Sequence, residues 1–193
     1  MIDEILVATT NQHKLREIRQ ILKGARVQGL GIRVKEDGKT FEANAIKKAK
    51  AIKPLPGQLA IADDSGLMVD CLGGSPGVRS ARFAEPPTPK NLCGKLLKVM
   101  SSECGALPAG RQVRSAKFVC VIAIAYPSGK IRTVKGVCHG RITREMRGKH
   151  GFGYDPVFVP RRYKKTFAEM SPAMKNRLSH RGRALRKLKA LLK

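Results

Sequence analysis

The adjacent carboxylates Asp63 and Asp64 are the first residues whose spacing indicates chemistry, and Ser65 and Gly66 follow them directly. The apolar residues 59–62 predict a short strand, and ligands bind at the carboxyl ends of strands in open α/β sheets. Neighbouring carboxylates repel each other unless cations or a divalent metal ion compensate their charge. The pair therefore predicts a metal site or a basic phosphate pocket. The alternative is a plain turn, because Asp, Ser and Gly are common turn residues.

A second group of polar residues lies just ahead of a predicted helix. Residues 5–9 predict a strand, and an apolar repeat at helical spacing begins at Leu15. Exposed backbone N–H groups at a helix N-terminus favour an anion, and Lys14 adds a positive charge there. These features predict phosphate binding. The alternative is ordinary capping of the helix by Thr10 or Asn11, with a solvated lysine.

A loop at residues 151–156 combines the aromatic side chains of Phe152 and Tyr154 with glycines and Asp155. Such a loop can stack a base on an aromatic face and accept hydrogen bonds from the edge of the base. The alternative is that Phe152 packs in the core. Farther along the chain, Arg181 can donate a planar pair of hydrogen bonds to a phosphate or a base carbonyl.

Apolar periodicity predicts the elements that position these residues. Residues 118–126 are apolar on both faces and predict a central strand, and residues 131–138 predict its antiparallel return strand. Thr40 is suited to cap the helix that follows it. The remaining predictions are a strand at 27–34, helices at 40–52, 91–100 and 179–192, a glycine-rich turn at 72–77 and a loop at 101–110.

Length and composition favour one domain over residues 1–193, with 42% hydrophobic residues. We expect no membrane span, because no apolar run approaches about 20 residues, and the acidic beginning of the chain does not resemble a signal peptide. The five cysteines are scattered and form no Cys-x-x-Cys pair. They therefore predict neither a disulfide framework nor a zinc site, and they favour a reducing cytoplasm.

The formal net charge of +25 bears on the partners of the protein more than on its fold. Nucleotides and nucleic acid are the expected partners of so basic a chain. Residues 161–193 are the most basic part, with Glu169 as their single acid. A general basic bias is the alternative, because lysine and arginine occur in every segment.

Six short motifs follow one another in a specific order: Thr-x-Asn-x-x-Lys, Thr-Phe-x-x-Asn-Ala, Ala-Asp-Asp-Ser-Gly-Leu, Pro-Gly-x-x-Ser-Ala-Arg-Phe, Gly-Phe-Gly-Tyr-Asp-Pro-x-Phe and Ser-His-Arg-Gly. They occupy residues 9–14, 40–48, 62–67, 76–83, 151–158 and 179–182. The series resembles the inosine triphosphate pyrophosphatase family, and it spans nearly the whole chain.

The resemblance implies an α/β fold with an elongated mixed sheet, flanking helices and two lobes around a nucleotide cleft, usually in a homodimer. It implies Mg²⁺-dependent hydrolysis of ITP, dITP and XTP to the monophosphate and pyrophosphate. Asp64 resembles the catalytic carboxylate and metal ligand, with Asp63 beside it, and Lys48 would meet the triphosphate. The other residues that the resemblance places in the substrate site are Thr9, Thr10, Asn11, Gln12, His13, Lys14, Ser65, Phe152, Gly153, Tyr154, Asp155, Lys175, His180 and Arg181.

One position departs from the family pattern. Most relatives carry a glutamate that binds metal at the position of Ala43, whereas here Glu42 lies one residue earlier. A shift of one residue rotates a side chain by about 100° around a helix, so Glu42 does not replace the missing ligand. We therefore expect weakened metal binding or activity.

Two alternatives to the leading function are considered. A catalytically weak relative could use the charge of +25 to bind nucleic acid, with a salt-dependent affinity. The septum-associated nucleotide pyrophosphatases resemble the same fold but lack the Ser-His-Arg-Gly ending, so they are the less favoured alternative.

Overall fold

The computed structural model describes residues 3–104 and 111–192. In that part of the chain strands and helices alternate along most of the sequence. The strands are β1 Glu4–Ala8, β2 Arg26–Leu30, β3 Gln58–Val69, β4 Ser115–Ala125, β5 Ile131–Ile142 and β6 Phe158–Pro160. The α-helices are α1 Gln12–Ile21, α2 Phe41–Lys50, α3 Pro89–Cys104, α4 Pro172–Leu178 and α5 His180–Leu191.

The strands form one mixed sheet in the order β2-β1-β3-β4-β5-β6. β1 runs parallel to both of its neighbours, with Ile5 opposite Val27 on β2 and opposite Leu59 on β3. β6 pairs antiparallel with β5, with Val159 opposite Arg141. The predicted α/β fold with a mixed sheet and flanking helices is therefore confirmed.

Most predicted elements are present, with shifted ends. β3 does not stop before the carboxylates but continues through them to Val69, so the turn alternative for residues 63–66 is wrong. α3 extends to Cys104, so residues 101–104 are helical rather than loop. The rest of that predicted loop, residues 105–110, lies outside the described residues.

The contacts divide the chain into two compact units. Unit 1 contains Met1–Ser65, Cys120–Gly136 and His180–Lys193, and unit 2 contains Gly66–Val119 and Val137–Ser179. Each unit has a hydrophobic core of its own.

The core of unit 1 packs α1 and α5 against strand residues of β1, β3 and β4. Leu15 and Ile18 of α1 and Leu185 and Leu188 of α5 are buried. Their spacing of three to four residues places them on one face of each helix. This packing fixes the two helices relative to β3, which carries the carboxylates.

The core of unit 2 is richer in aromatic residues. The ring of Phe158 lies 4.7 Å from that of Phe118 and 5.2 Å from that of Phe167, measured between centroids. Leu96 and Met100 of α3 are buried against the same cluster. Aromatic rings bury large areas, and contacts at such distances add stability beyond burial.

A disulfide joins Cys71 to Cys104 in unit 2, with a Cα–Cα distance of 6.0 Å. The prediction from cysteine spacing that the chain holds no disulfide is therefore wrong. The pair is separated by 33 residues, so no short motif reveals it. The thiols of Cys93, Cys120 and Cys138 are buried and are not part of a disulfide.

Among the described residues, no helix is both long and apolar enough to cross a membrane.

Candidate active site

Asp63 and Asp64 lie on β3 and face different surroundings. Consecutive side chains of a strand point to opposite faces of the sheet. Asp63 meets the Lys14 ammonium of α1, at 3.1 Å, and the Arg181 guanidinium of α5, at 2.9 Å. Asp64 instead accepts a hydrogen bond of 3.0 Å from the amide of Asn44 on α2. The adjacent carboxylates thus avoid the repulsion that their sequence predicts, because each has its own set of partners.

Asp63 belongs to a buried ionic network. The Arg181 side chain is almost fully buried, and its Nη1 donates a 2.6 Å bond to Oε2 of Glu17 on α1. The Ser65 hydroxyl donates to Oδ2 of Asp63 at 3.0 Å. Burial raises the pKa of Asp63, but the charges of Lys14 and Arg181 outweigh it and hold that pKa well below its usual range. Asp63 is therefore a permanent anion that joins α1, β3 and α5.

The surroundings of Asp64 shift its pKa in the opposite direction to that of Asp63. Burial raises its pKa above the ordinary value, and the positive charges of Lys48 and Lys14 offset that rise only in part. Two neighbouring carboxyls with pKa values pushed apart are characteristic of catalytic acid and base assignments. Of this pair, Asp64 is the carboxyl that can exchange a proton.

Lys48 lies between two carboxylates. Its Nζ is 3.5 Å from Oδ1 of Asp64 and 2.6 Å from Oε1 of Glu36. Burial lowers the pKa of Lys48, but the charges of Asp63 and Asp64 outweigh it and the net shift is upward. The ammonium is therefore charged and available to neutralise an anionic ligand.

Glu36 is a site residue that the sequence analysis did not identify. It comes from the segment between β2 and α2, and the Asn44 side chain fixes that segment, since Oδ1 of Asn44 accepts a 2.8 Å bond from the N–H of Gly38. A Cβ at Gly38 would lie 2.6 Å from the same oxygen, so this contact requires glycine. The available signal was the Glu36-Asp37-Gly38 sequence just before the Thr-Phe motif.

The residues around the missing family glutamate are exposed. Thr40 caps α2 as predicted, and its hydroxyl accepts a 3.0 Å bond from the N–H of Ala43. Glu42 accepts a 2.6 Å bond from the hydroxyl of Thr133 on β5. That Glu42 does not take the place of the missing ligand stays a prediction.

The side chains of the site suit a hard divalent cation only when a bound substrate supplies further oxygen atoms to coordinate it. No group of three His, Cys, Asp or Glu side chains is arranged to hold a metal ion in the described part of the chain. However, Glu36 and Asp64 offer carboxylate oxygens on the two sides of one cation, Lys48. Mg²⁺ is commonly bound by one or two carboxylates together with substrate phosphates and water. The residues present therefore fit Mg²⁺.

Side chains of the segment just before α1 cap the N-terminus of this helix. The side-chain oxygen of Asn11 accepts bonds from the N–H groups of His13 and Lys14, at 3.0 and 3.1 Å. The Thr9 hydroxyl accepts a bond from the N–H of Asn11. The capping alternative is thus correct for Asn11, whereas the alternative of a solvated Lys14 is wrong, because its ammonium pairs with Asp63. The exposed residues of this segment are Thr10, Gln12 and His13.

Unit 2 carries a second cluster, which we call the aromatic cluster: Phe152, Gly153, Tyr154, Asp155 and Lys175. Oδ2 of Asp155 lies 2.5 Å from Nζ of Lys175 and accepts a 2.8 Å bond from the N–H of Phe152. Nζ of Lys175 is 4.5 Å from the centroid of the Phe152 ring, a cation–π distance. The structure thus brings together the residues of unit 2 that the motifs predicted for a base site.

Two contacts fix the loop that bears the aromatic cluster. The Tyr154 hydroxyl donates a 2.9 Å bond to the carbonyl of Ser80, and burial raises the pKa of Tyr154. The Cys93 thiol donates to the carbonyl of Gly153, and burial raises the pKa of that thiol to about 12. Tyr154 and Cys93 are therefore neutral and hold the loop in place.

His180 and Arg181, which the motif resemblance assigns to the base site, belong to unit 1. Both are buried, and Arg181 is engaged with Asp63 and Glu17. The observed contacts give Arg181 a structural task, and its contact with a base stays a prediction.

The fold and the two clusters together define a class of protein. It is an α/β protein in which lysines pair with the carboxylates of β3 in unit 1, and the ammonium of Lys175 lies against the Phe152 ring in unit 2. The chain belongs to the Ham1 family, whose model matches residues 5–191. This membership confirms the resemblance drawn from the six motifs.

Individual relatives agree with this assignment. The chain is 47% identical to a dITP/XTP pyrophosphatase of Desulforamulus reducens, over 98% of this chain and 95% of the relative. It is 45% identical to the Bacillus licheniformis protein of the same name, over 98% and 97%. Among solved structures, a HAM1 protein from Coxiella burnetii superposes with a TM-score of 0.83 at 37% identity, covering 98% of both chains.

Proposed function

We propose that this protein hydrolyses the non-standard purine nucleoside triphosphates ITP, dITP and XTP to the monophosphate and pyrophosphate. The observation that carries the proposal is the pairing of Asp64 with Lys48 and Asn44. It places a carboxyl able to take a proton beside a charged ammonium. The full-length similarity to relatives named dITP/XTP pyrophosphatase supports the same reaction.

In the proposed reaction Asp64 is the general base. It takes a proton from a water molecule that attacks the α-phosphorus, the bond to the bridging oxygen breaks, and pyrophosphate leaves. Asn44 orients the carboxylate through its 3.0 Å hydrogen bond. Lys48 and Lys14 neutralise phosphate charge, which is the main requirement of phosphoryl-type displacement.

Asp64 and Glu36 are the residues that would hold Mg²⁺, with substrate phosphates completing its ligands. When bound, the ion neutralises charge that develops on the phosphate oxygens. With Ala43 in place of the family glutamate, we propose that Glu36 supplies the second carboxylate. The expected weakness of the metal site is then smaller than the sequence by itself predicts.

The purine base is assigned to the aromatic cluster of unit 2. The ring of Phe152 offers a stacking face, and the ammonium of Lys175, held by Asp155, is a donor for a 6-oxo group. Hypoxanthine and xanthine carry that oxygen, whereas adenine presents an amino group that a cationic donor disfavours. This selects non-standard purines over ATP. A homodimer, implied by the family resemblance, and a cytoplasmic location, expected from the cysteine pattern, are part of the same proposal.

Pyrophosphate release from ITP, XTP, dGTP and ATP across a Mg²⁺ series tests this function. We expect release from ITP and XTP that depends on Mg²⁺, and a loss of roughly 10²- to 10⁴-fold in Asp64→Asn. Because the pKa of Asp64 is raised, activity declines on acidification at a pH above the ordinary Asp value of about 3.9. Activity that persists in Asp64→Asn contradicts the assigned base.

Nucleic-acid binding by a catalytically weak protein is the second candidate, and the net charge of +25 favours it. That candidate predicts salt-sensitive binding to polynucleotide that survives Asp64→Asn, without Mg²⁺-dependent pyrophosphate release. Measuring both polynucleotide binding and pyrophosphate release therefore distinguishes the hydrolase from the nucleic-acid-binding protein.

A further inference from the structure

A hollow of about 300 Å³ in unit 2 is lined by four arginines. These are Arg114, Arg141, Arg144 and Arg147, and the wall also contains Glu145 and residues 142–143. None of them belongs to the carboxylate residues of unit 1 or to the aromatic cluster. The proposed reaction therefore leaves this concentration of charge without a role.

Arg114 is fixed at one side of the hollow by two backbone carbonyls. Its Nε donates a 2.7 Å bond to the carbonyl of Ile142, and its Nη2 donates a 2.5 Å bond to that of Thr143. Burial lowers the pKa of Arg114, and the positive charge of Arg144 lowers it further. The two guanidinium groups are therefore close enough to repel each other in a partly desolvated place.

Arg147 has an unused donor. Its Nη2 donates to the carbonyl of Lys164 at 3.2 Å and lies 3.8 Å from Oε2 of Glu169. Its Nε is buried without a hydrogen-bond partner. An unpaired buried donor is costly, and an anion in the hollow would offset the positive charge of the arginines that line it.

Glu145 offsets only part of this charge. One carboxylate faces four guanidinium groups in the wall, so the hollow keeps an excess of positive charge. All four arginines line one hollow of about 300 Å³. A ligand of matching chemistry is compact and carries several negative charges, and the planar fork of arginine is well suited to phosphate oxygens.

We infer that this hollow is a binding site for a compact anion with two or three phosphoryl groups, of the inorganic pyrophosphate type. Arg114, Arg144 and Arg147 donate to the phosphate oxygens, and Arg141 contributes charge at the edge. The inference concerns binding alone and does not depend on the proposed hydrolysis.

Side-chain NMR of protein labelled with ¹⁵N-arginine tests the site, with inorganic pyrophosphate as the probe and no Mg²⁺ present. We expect the Nε–H signals of Arg114 and Arg147 to shift and to saturate. Arg144→Ala, an exposed position, weakens the binding read from these signals roughly tenfold, the loss of about one charge-assisted hydrogen bond. The matched control is Arg132→Ala, which removes the same charge from an exposed position on β5, away from the hollow, and leaves the affinity unchanged.

Three results overturn the inference. The signals fail to saturate, Arg132→Ala weakens binding as much as Arg144→Ala, or a short single-stranded RNA shifts the same signals at lower concentration than pyrophosphate does. The second result assigns the effect to general charge, and the third assigns the hollow to a nucleic-acid backbone. Because the readout reports Arg114 and Arg147 directly, its failure leaves the hydrolysis assay and its Asp64→Asn control unaffected.

Discussion

The two clusters of the molecule are assembled in different ways. In unit 1 the charged groups of the Asp63 network are distant in sequence, since Arg181 is 118 residues from Asp63 and 164 residues from Glu17. In unit 2 one loop supplies most of the aromatic cluster, and Lys175 is only 20 residues from Asp155. A cluster built from one loop can be recognised as a sequence motif. The contacts of a network built from several elements depend on how those elements pack.

The clusters also differ in what their charges do. In unit 1 a permanent anion, Asp63, and a carboxyl with a raised pKa, Asp64, occupy adjacent positions. In unit 2 Asp155 holds one ammonium, Lys175, against an aromatic ring. The proposed function accordingly assigns proton transfer and charge neutralisation to unit 1 and orientation of the base to unit 2.

The largest expected effect tests whether the Asp63 network is structural. Arg181→Met leaves Glu17 without its buried cation and Asp63 with Lys14 alone, and we expect it to lower the free energy of unfolding by about 3–5 kcal/mol. Urea denaturation measures the change. The control Lys189→Met, at an exposed position of the same helix, is expected to change stability by less than about 0.5 kcal/mol.

The same network predicts a pH dependence of stability. Asp63 has a lowered pKa in the folded protein, so its contribution is present above the unfolded Asp pKa of about 3.9 and is lost as pH falls below that value. Arg181→Met is expected to flatten this dependence. An equally steep acid loss in the variant would show that other carboxyls cause it.

The next effect concerns the disulfide of unit 2. Replacing Cys71 and Cys104 together by serine removes a cross-link over 33 residues, and we expect a loss of about 3 kcal/mol. Denaturation with and without a reducing agent measures it. The reductant should destabilise the wild-type protein by a similar amount and leave the double variant unchanged, and any further effect on the variant contradicts this account.

A smaller effect tests the aromatic cluster as the base site. Lys175→Met removes the donor for a 6-oxo group, so the ratio of kcat/KM for ITP to that for ATP should fall roughly tenfold. A ratio measured on one sample is insensitive to lost folded protein. The exposed Lys98→Met in the same unit serves as the control, and an unchanged ratio in Lys175→Met refutes this assignment of the base.

The smallest expected effect concerns the departure at Ala43. Ala43→Glu adds a carboxylate at the family position, and we expect turnover at limiting Mg²⁺ to rise severalfold. Ala43→Gln, of similar size without the charge, should give no such rise. If both variants behave like wild type while Glu36→Gln lowers the apparent Mg²⁺ affinity, Glu36 already supplies the second carboxylate.

The fold was largely predictable, because strands and helices alternate with clear apolar periodicity. The residues at which strands and helices begin and end were less predictable. β3 runs on through Asp63 and Asp64, since each carboxylate finds cationic or amide partners on its own face of the strand. Glu36 was missed because its segment has no regular periodicity and is positioned by a contact with Asn44.

The sequence by itself determined the family, the mixed α/β fold and the list of residues able to do chemistry, because ordered motifs and hydrophobic periodicity are local properties of a chain. Only the tertiary structure decided which of those residues act as partners. In the folded protein Asp63 and Asp64 have different partners, and Arg181 pairs with Asp63. Glu36 pairs with Lys48, and Cys71 forms a disulfide with Cys104. Each of these outcomes depends on the packing of distant elements, which brings charges and sulfur atoms within reach in a way that spacing along the chain does not encode.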